Sequence, residues 1–359
     1  MKIKTEKKAL QGALSQAFRA VPAKAVQPIL ETFLFSASDG LLTVTATDAN
    51  IVVQTSLECE CEGSACIPAR LILDIVKAAP DGDITITSEG ATAEVDWGKG
   101  KATIPAQDTE DFPDISPAPS NGVRVPFGTL YSAIKHVLPH VSDDPIRPAL
   151  NGIYFNPSET GWDLVASDSR TLCVYPVEAE GEKPDFIIPS QAAAIIADAV
   201  KVDGTAIFTT DDNAIYCDMG GFTLRVRKIV GKFPDYKRII PTAHGSLMTI
   251  GRETLIKSLT RISVCANKST QHVKVDINAL GAVLESQDLG FSVSARESVD
   301  ASLEGEELTI GFRSDLLIKT LAGLSSENVG IAFNGPKKAA LVSAEDDPCQ
   351  VVIMPVMIQ

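Results

Sequence analysis

The sequence predicts an α+β protein made of three tandem copies of one domain, each with two helices packed on an antiparallel sheet. The first observation is a repeated block in which an Ile-Pro pair opens a helix-like segment, with Ile67 and Ile188 lying 121 residues apart. The same interval separates Phe112 of FPDI from Phe233 of FPDYKR. A period of this length is that of a whole domain and not of a solenoid repeat.

Three aspartates give a second marker of the repeat. The segments TATDAN, VASDSR and LESQDLG place Asp48, Asp168 and Asp288 at intervals of 120 residues, each at the end of an apolar, strand-like run. The third copy closes with VVIMPV, where the second copy has FPDYKR. With 359 residues and 45% apolar content, the chain divides into three domains of ordinary size. We predict domains at residues 1–120, 121–245 and 246–359.

Each repeat contains two amphipathic helix patterns. In the first helix of each copy, apolar residues recur at i, i+4 and i+7, as in Leu10, Leu14 and Ala17. The second helix follows directly on Pro68 in the first copy and on Pro189 in the second, where a missing backbone N–H costs little. The predicted helices are 6–20, 69–78, 128–140, 190–201, 252–266 and 313–323.

The rest of each repeat reads as about eight short strands, because β-branched and aromatic residues alternate between turn signals. Examples are ILETFLFSA and LLTVTAT in the first copy, GIYFN and WDLVAS in the second, and VKVDI and AVLES in the third. Proline and glycine cluster at 116–122, and a second polar, turn-rich segment lies at 241–246. We interpret these two segments as the linkers between domains.

The start of the chain, the cysteines and the histidines indicate the compartment and the cofactors. MKIKTEKKALQGAL carries too many charges for a signal peptide, and no stretch approaches the roughly 18 apolar residues of a membrane span. Seven cysteines scattered over all three repeats fit a reducing cytoplasm better than a disulfide framework. His136 and His140 are spaced i, i+4, but Pro139 separates them and no third ligand is evident, so a polar helix end is favoured over a metal site. We expect no metal, no cofactor and no membrane contact.

Charge is unevenly distributed along the chain. The net charge of −14 argues against binding nucleic acid with the whole surface, since phosphate neutralisation needs a basic surface. The six predicted helices nevertheless carry twelve Lys or Arg against five Asp or Glu, a net charge of +7. The net charge of all other residues is therefore −21. Lys257 and Arg261 lie on one face of their helix, opposite its apolar face. Solvated helix faces are the simpler interpretation. The acidity of everything outside the helices favours a specific role for their cations.

Motifs of catalysis are missing from the sequence. It has no glycine-rich phosphate loop, no HExxH and no GxSxG elbow. The aspartates Asp48, Asp168 and Asp288 would be the carboxylates of an acidic, cytosolic, multi-domain hydrolase, which is the alternative function. Because they occupy one position in three separate domains, a turn residue that bonds its own backbone is the favoured interpretation.

The repeated segments together resemble a known family across the whole chain. QPILETFLF with TATD, RPALNGIYF with VASDSRTL, FPDYKRIIP and the terminal VVIMPVMI resemble the bacterial β sliding clamp, the DNA polymerase III beta subunit and processivity factor. The resemblance implies a non-catalytic, head-to-tail homodimer, a closed ring of six domains whose helices line a hole around duplex DNA. It also implies that the polymerase alpha subunit, the clamp loader, other polymerases and repair proteins bind through short peptides. A repeat scaffold that does not bind DNA is a third interpretation.

The resemblance assigns site residues by position. The DNA contacts it implies, with the two helix cations added, are Lys24, Arg70, Arg147, Pro148, Lys257 and Arg261. The dimer interface it implies is formed by Lys99, Lys101, Ile104, Val264, Cys265, Glu297 and Glu304. The cleft for partner peptides, between the second and third domains, is assigned to Leu150, Ser167, Ser169, Arg170, Thr171, Leu172, Pro234, Arg238, Ile239, Ala339, Val352, Met354, Pro355, Val356 and Met357.

The chain departs from the family pattern at three places. Many relatives carry aromatic residues before LNG, where this chain has RPA, so their aromatic DNA contact is not assigned here. The turn that commonly reads DGHRL reads DSRTL, and the terminus MPVMIQ lacks the common penultimate arginine. A last core strand would also explain the apolar character of MPVMI, and exposure of these residues decides between the two interpretations.

Overall fold

The computed structural model describes residues 1–116, 118–119, 122–200 and 203–358, and it divides into two compact units. Unit 1 comprises Met1–Gly128, Ala179–Glu182 and Ala194–Lys228, and unit 2 comprises Thr129–Glu178, Lys183–Ala193 and Ile229–Gln359. Within the described residues, no helix is long and apolar enough to cross a membrane. The predicted linker at 116–122 and the end of the predicted helix 190–201 lie partly outside the described residues.

Unit 1 is built on one antiparallel sheet of twelve strands. Its strands are β1 Lys2–Glu6, β2 Thr32–Ser38, β3 Leu41–Thr47, β4 Ile51–Glu58, β5 Glu60–Pro68, β6 Asp83–Glu89, β7 Thr92–Asp96, β8 Lys101–Pro105, β9 Val123–Pro126, β14 Thr205–Thr210, β15 Ala214–Asp218 and β16 Phe222–Arg227. The order across the sheet is β8-β7-β6-β1-β5-β2-β3-β4-β16-β15-β14-β9. Strand β8 therefore lies at one free edge.

Unit 2 holds two antiparallel sheets. Its strands are β10 Gly152–Pro157, β11 Gly161–Ser167, β12 Thr171–Glu178, β13 Phe186–Pro189, β17 Ser246–Gly251, β18 His272–Asn278, β19 Gly281–Asp288, β20 Val293–Val299, β21 Ala301–Gly305, β22 Leu308–Arg313, β23 Asn328–Phe333, β24 Ala340–Ala344 and β25 Asp347–Ile353. Nine strands are ordered β13-β10-β11-β12-β25-β24-β23-β17-β21, and four are ordered β20-β19-β18-β22. Strand β20 lies at a free edge of the smaller sheet.

Six α-helices occur in the described residues. They are α1 Lys7–Ala17, α2 Ala69–Ala78, α3 Phe127–Val137, α4 Ser190–Ala199, α5 Arg252–Ser263 and α6 Ser314–Gly323. The prediction of 69–78 is confirmed, and the other boundaries shift by a few residues. The first and third predicted helices end in the 3₁₀ turns Phe18–Ala20 and Leu138–His140. In the third, Pro139 cannot donate the backbone hydrogen bond that would continue an α-helix.

Five of the six described helices bury the i, i+4, i+7 stripe that the sequence predicts. In α2 the predicted stripe of Leu71, Ile75 and Ala78 is wrong, because Leu71 is 42% exposed and the helix instead buries Ile72, Leu73 and Val76. Helix α1 buries Leu10, Leu14 and Ala17 and packs against α2 and β4. Helix α5 buries Leu255 and Ile262 and packs against α6, β19 and β20. The predicted α+β class, with paired helices on antiparallel sheets, is confirmed.

Candidate functional site

The floor of the predicted peptide cleft lies in unit 2, where strand β12 pairs with β25. Leu172 stands opposite Val352, and Thr171 opposite Ile353. Leu172 and Val352 belong to one buried apolar cluster, whose members are Leu150, Val165, Leu172, Val174, Ile187, Phe233, Tyr236 and Val352. Ala339 packs against the same cluster. Four of the predicted cleft residues are therefore in one apolar environment, although they come from distant parts of the chain.

The segment after β25, residues 354–356, is the predicted rim of this cleft. The backbone N–H of Met354 donates to the Arg170 carbonyl oxygen at 2.9 Å, and the N–H of Val356 donates to the Gly311 carbonyl oxygen at 2.8 Å. A Cβ on Gly311 would lie 2.8 Å from the Val356 carbonyl oxygen, so only glycine lets the segment approach β22 this closely. Met354 is exposed and Met357 is 73% exposed. The interpretation of this segment as a last core strand is therefore wrong, since the strand ends at Ile353.

A tight turn at residues 168–171 lies directly beside this segment, because Arg170 accepts the hydrogen bond from Met354. The Asp168 Oδ1 accepts hydrogen bonds from the backbone N–H groups of Arg170 at 2.9 Å and Thr171 at 2.6 Å. Ser169 adopts the left-handed φ of 70°, and the Ser167 hydroxyl donates to the Thr171 carbonyl oxygen. Asp48 likewise accepts from two backbone N–H groups and Asp288 from one, which confirms the turn interpretation of the three aspartates.

The FPDYKRII segment covers one end of the apolar floor. The Phe233 ring stacks on Tyr154 at a centroid distance of 5.0 Å. The Tyr236 hydroxyl donates to Asp163 at 2.9 Å, and burial and this carboxylate raise the pKa of Tyr236. The following 3₁₀ turn leaves Ile239 exposed. The remaining cleft residues of this segment, also exposed, are Pro234 and Arg238.

Buried and half-buried polar side chains stabilise the turn at residues 168–171 through hydrogen bonds. The His140 Nδ1 lies 2.9 Å from the Thr171 hydroxyl, which donates to Asp168 at 2.9 Å. Lys319 of α6 donates to the other Asp168 oxygen at 3.3 Å. Although burial opposes ionisation of Asp168, the backbone hydrogen bonds and Lys319 lower its pKa. Sequence reasoning missed His140 and Lys319 as supports, because Lys319 is 151 residues from Asp168.

The expectation of a polar helix end at His136 and His140 is wrong. Both side chains are buried. His136 Nε2 lies 3.0 Å from Asp347, which also accepts from the backbone N–H of Ser325. Among the described residues no group of three or more His, Cys, Asp or Glu side chains is placed to hold a metal ion. The two histidines therefore serve as buried hydrogen-bonding groups of the fold.

Burial of neutral His140 predicts a pH dependence of folding. Burial lowers the pKa of His140 from 6.5 to about 4. The unfolded chain takes up this proton near pH 6.5 but the folded chain only near pH 4, so we expect the free energy of unfolding to fall by up to about 3 kcal/mol between pH 7 and pH 4. Denaturant titrations across this pH range measure the free energy of unfolding. In a His140→Gln variant, this free energy should depend less steeply on pH, because the contribution of His140 is lost.

A matched control separates His140 from general acid destabilisation. His244 is exposed, so a His244→Gln variant should keep the wild-type pH dependence. If His140→Gln and wild-type protein lose stability in parallel from pH 7 to pH 4, the buried neutral histidine does not contribute.

The same sheet face is polar in the third copy, where the second copy carries the apolar cluster. Lys274 and Glu285 stand 120 residues after Tyr154 and Val165 of the cluster face. Lys274 pairs with Glu285 at 3.0 Å. They line a groove of about 670 Å³ that is bounded by Val356 and Met357. Because these charged side chains line the groove and pair with each other, the groove offers no apolar surface on which an apolar peptide could be buried.

The predicted DNA-contact residues are exposed, and most already have partners. Lys257 pairs with Glu253 at 3.0 Å, and Arg147 with Asp144 at 3.5 Å. The Arg261 Nε donates to Glu297 at 3.0 Å. The Arg70 guanidinium lies 5.1 Å from the Phe18 ring centroid, Lys24 is exposed in a loop, and Pro148 is exposed at the start of the 3₁₀ turn Pro148–Leu150. Lys24 and Arg70 belong to unit 1, and the other four residues to unit 2.

The predicted dimer-interface residues differ in exposure. Val264 is 83% exposed directly after α5, whereas Ile104 on β8 is only 5% exposed. Lys101 pairs with Glu94 at 2.8 Å within its own hairpin. Glu297 on β20 accepts hydrogen bonds from Ser258 and Arg261. The other predicted residues are Lys99, exposed, Cys265, half-buried, and Glu304, exposed on the edge strand β21.

Three family models match consecutive parts of the chain. They describe the N-terminal domain of the DNA polymerase III beta subunit at residues 1–116, its central domain at 124–235 and its C-terminal domain at 237–357. The three models together match almost the whole chain.

Curated relatives and solved structures agree with these models. The beta sliding clamp of Streptomyces coelicolor is 26% identical over 99% of both chains, and that of Synechocystis sp. is 27% identical over 93% of both. A sliding clamp of Pseudomonas aeruginosa bound to griselimycin shares the fold with a TM-score of 0.95 at 23% identity over the full length of both chains. A sliding clamp of Bartonella birtlesii, also bound to griselimycin, gives a TM-score of 0.93 at 25% identity and full coverage of both chains.

Proposed function

Because the chain belongs to the DNA polymerase III beta subunit family, we propose that it is a sliding clamp: two copies close head to tail into a ring that encircles duplex DNA and tethers the replicative polymerase. The observation that carries this function is the match of all three domain models, in order, along a chain with three copies of one fold. The protein is a non-catalytic subunit of the polymerase. Neither the family nor the turn-bonded aspartates support the hydrolase alternative.

Encirclement explains how an acidic protein works on DNA. A closed ring is retained by its topology, so its phosphate contacts need supply little affinity and no base recognition. The proposed contact residues fit this requirement, since Arg147, Lys257 and Arg261 already pair with acidic side chains and offer only part of their charge. Weak contacts of this kind let a ring slide.

Replacing Lys24, Arg70 and Arg147 with alanine is expected to weaken loading on any DNA sequence to the same extent. These contacts go to phosphate, so the dependence of loading on salt should also become shallower, by about 0.9 in the log–log slope for each lost contact. Retention of the loaded protein on nicked circular DNA, before and after the circle is cut, measures both loading and encirclement.

A charge-matched control is available on the surface. The Lys4, Lys232 and Lys337 side chains are exposed and lie outside the proposed contacts, so their triple alanine variant should load like the wild type. Encirclement is contradicted if the wild-type protein stays on linear DNA as long as on circular DNA.

Partner proteins bind, in this proposal, through short peptides that enter the cleft around Leu172 and Val352. The chemistry supports a peptide site, because Leu, Val, Ile and Pro side chains form the floor and walls and exposed methionines adjust to different sequences. One such cleft gives modest affinity, commonly near micromolar, and two clefts per ring add avidity. The polymerase alpha subunit, the clamp loader, other polymerases and repair proteins would share this site.

The domain limits and the compartment belong to the same proposal. Domains at 1–120, 121–245 and 246–359 are supported by the family models, which begin and end near these limits. A role in DNA replication places the protein in the cytoplasm, and the scattered free cysteines agree with a reducing compartment.

A further inference from the structure

We propose that Cys59 and Cys61 form a modification site, a dithiol that is reversibly oxidised to a disulfide by small disulfides of the glutathione class. The pair lies where strand β4 ends at Glu58 and strand β5 begins at Glu60. Both cysteines are free thiols with half-buried side chains. Neither residue belongs to the proposed DNA contacts, dimer interface or peptide cleft, so the site does not depend on the proposed ring.

The backbone places the two sulfur atoms within reach of each other. Residues two apart in a strand point to the same face, and their Cα atoms are about 6.6 Å apart when the strand is extended. This distance is near the upper end of the range that a disulfide spans, and a bend shortens it. The chain bends at Cys59, whose backbone N–H donates to the Gly40 carbonyl oxygen at 2.9 Å. A disulfide between Cys59 and Cys61 therefore requires little movement of the backbone.

The acidic residues that alternate with the cysteines lie on the other face of the strand. Glu60 and Glu62 each stand opposite a lysine of β1, whereas Cys61 stands opposite Ile3, which is fully buried. Side chains of successive strand residues point to opposite faces. The carboxylates of Glu60 and Glu62 therefore point away from the Cys61 thiol, and they do not block the approach of a small disulfide.

Cys61 is the thiol that starts the exchange. Burial, followed by the hydrogen bond and the charge of Cys61, raises the pKa of Cys59 to about 12, so Cys59 keeps its proton. The Cys61 thiolate attacks one sulfur atom of oxidised glutathione. The sulfur–sulfur bond of glutathione breaks, a mixed disulfide between Cys61 and glutathione forms, and one glutathione thiolate leaves.

Cys59 completes the exchange. Once Cys61 is bonded to glutathione, its thiolate charge no longer raises the pKa of Cys59, which then loses its proton to solvent more readily. The Cys59 thiolate attacks the Cys61 sulfur and releases the second glutathione. The two protein thiols thus give two electrons and two protons to one molecule of oxidised glutathione, which becomes two molecules of reduced glutathione.

A disulfide at this position should be easy to reduce again. It closes a loop of only three residues, so it removes little conformational freedom from the unfolded chain and adds little stability. Strained or exposed disulfides are the labile ones, whereas structural disulfides resist reduction by glutathione. The oxidation state of the pair therefore follows the ratio of oxidised to reduced glutathione.

A second pair of neighbouring thiols lacks these properties and serves as an internal control. The Cys173 and Cys349 sulfur atoms lie 3.4 Å apart, and both side chains are buried. Cys173 stands opposite Val351, so Cys349 is its diagonal neighbour across β12 and β25. Diagonal neighbours have Cα atoms about 7–8 Å apart, beyond the usual reach of a disulfide. Burial also raises the pKa of Cys173, so we expect this pair to stay reduced.

Sequential labelling of the full-length protein tests the site. The protein is incubated with oxidised glutathione, its free thiols are blocked in denaturant with N-ethylmaleimide, and its disulfides are then reduced and labelled with iodoacetamide. We expect iodoacetamide labels on both Cys59 and Cys61 by mass spectrometry, at least about tenfold above those on Cys173 and Cys349. Excess reduced glutathione, added before the blocking step, should return Cys59 and Cys61 to the N-ethylmaleimide label.

Two single variants separate the roles of the thiols. Cys59→Ser leaves the attacking thiol without its partner, so this variant should stop at the mixed disulfide and retain one glutathione at Cys61. Cys61→Ser leaves only the protonated Cys59 and should react with oxidised glutathione at least about tenfold more slowly than Cys59→Ser.

Three results would overturn the site. A glutathione adduct that persists at Cys61 of the wild-type protein would show that Cys59 does not complete the exchange. Equal reaction rates of the two single variants would contradict the assigned order of attack. Equal iodoacetamide labels on Cys173 and Cys349 would show that oxidation follows general unfolding and not a site at Cys59 and Cys61.

Discussion

Deleting residues 354–359 is expected to abolish binding of a Gln-Leu-x-Leu-Phe-type peptide while the protein remains a dimer. The deletion removes the rim formed by Met354, Pro355 and Val356 but leaves β25, which ends at Ile353. Because the rim is attached through the hydrogen bonds of Met354 and Val356 to Arg170 and Gly311, its loss leaves the apolar floor open to water. We expect the near-micromolar affinity to fall by at least about a hundredfold, below detection by calorimetry.

A shorter deletion is the matched control. Removing only residues 358–359 keeps every predicted cleft residue of this segment, from Met354 to Met357. Peptide binding should then fall no more than about threefold. Undiminished binding by the longer deletion, with its dimer intact by light scattering, would place the peptide site elsewhere.

Replacing Val264 with aspartate is expected to convert the dimer into monomers. Val264 is 83% exposed and directly follows α5, which packs against β20. A carboxylate buried at an apolar contact without a partner costs several kcal/mol, enough to raise the dissociation constant about a hundredfold or more. Light scattering should give the mass of one 38.1 kDa chain and not of two.

Lys101→Ala is the contrasting variant and should hardly change the dimer. Lys101 is mostly exposed and already pairs with Glu94 of its own hairpin, and exposed ion pairs contribute at most about 1 kcal/mol. If Lys101→Ala gives monomers and Val264→Asp a dimer, charge and not apolar contact closes the ring.

The sequence by itself determined the features that depend on local spacing. The period of about 120 residues gave the repeated fold, and the i, i+4, i+7 pattern located all six helices, because a buried helix face must recur with the helical period. The turn role of Asp48, Asp168 and Asp288 also followed from position, since an Asx turn needs only its own backbone. Family membership rested on motifs of the same local kind.

Only the tertiary structure decided which distant residues meet. The spacing of His136 and His140 predicts a polar helix end, but both side chains are buried. His136 contacts Asp347, and His140 contacts Thr171. Arg261 and Glu297, which the sequence assigned to different sites, bond to each other. Periodicity tells which face of an element is buried, whereas the partner on that face depends on strand order. Strand order in turn is fixed by contacts between residues more than a hundred positions apart, such as Leu172 and Val352 on the cleft floor.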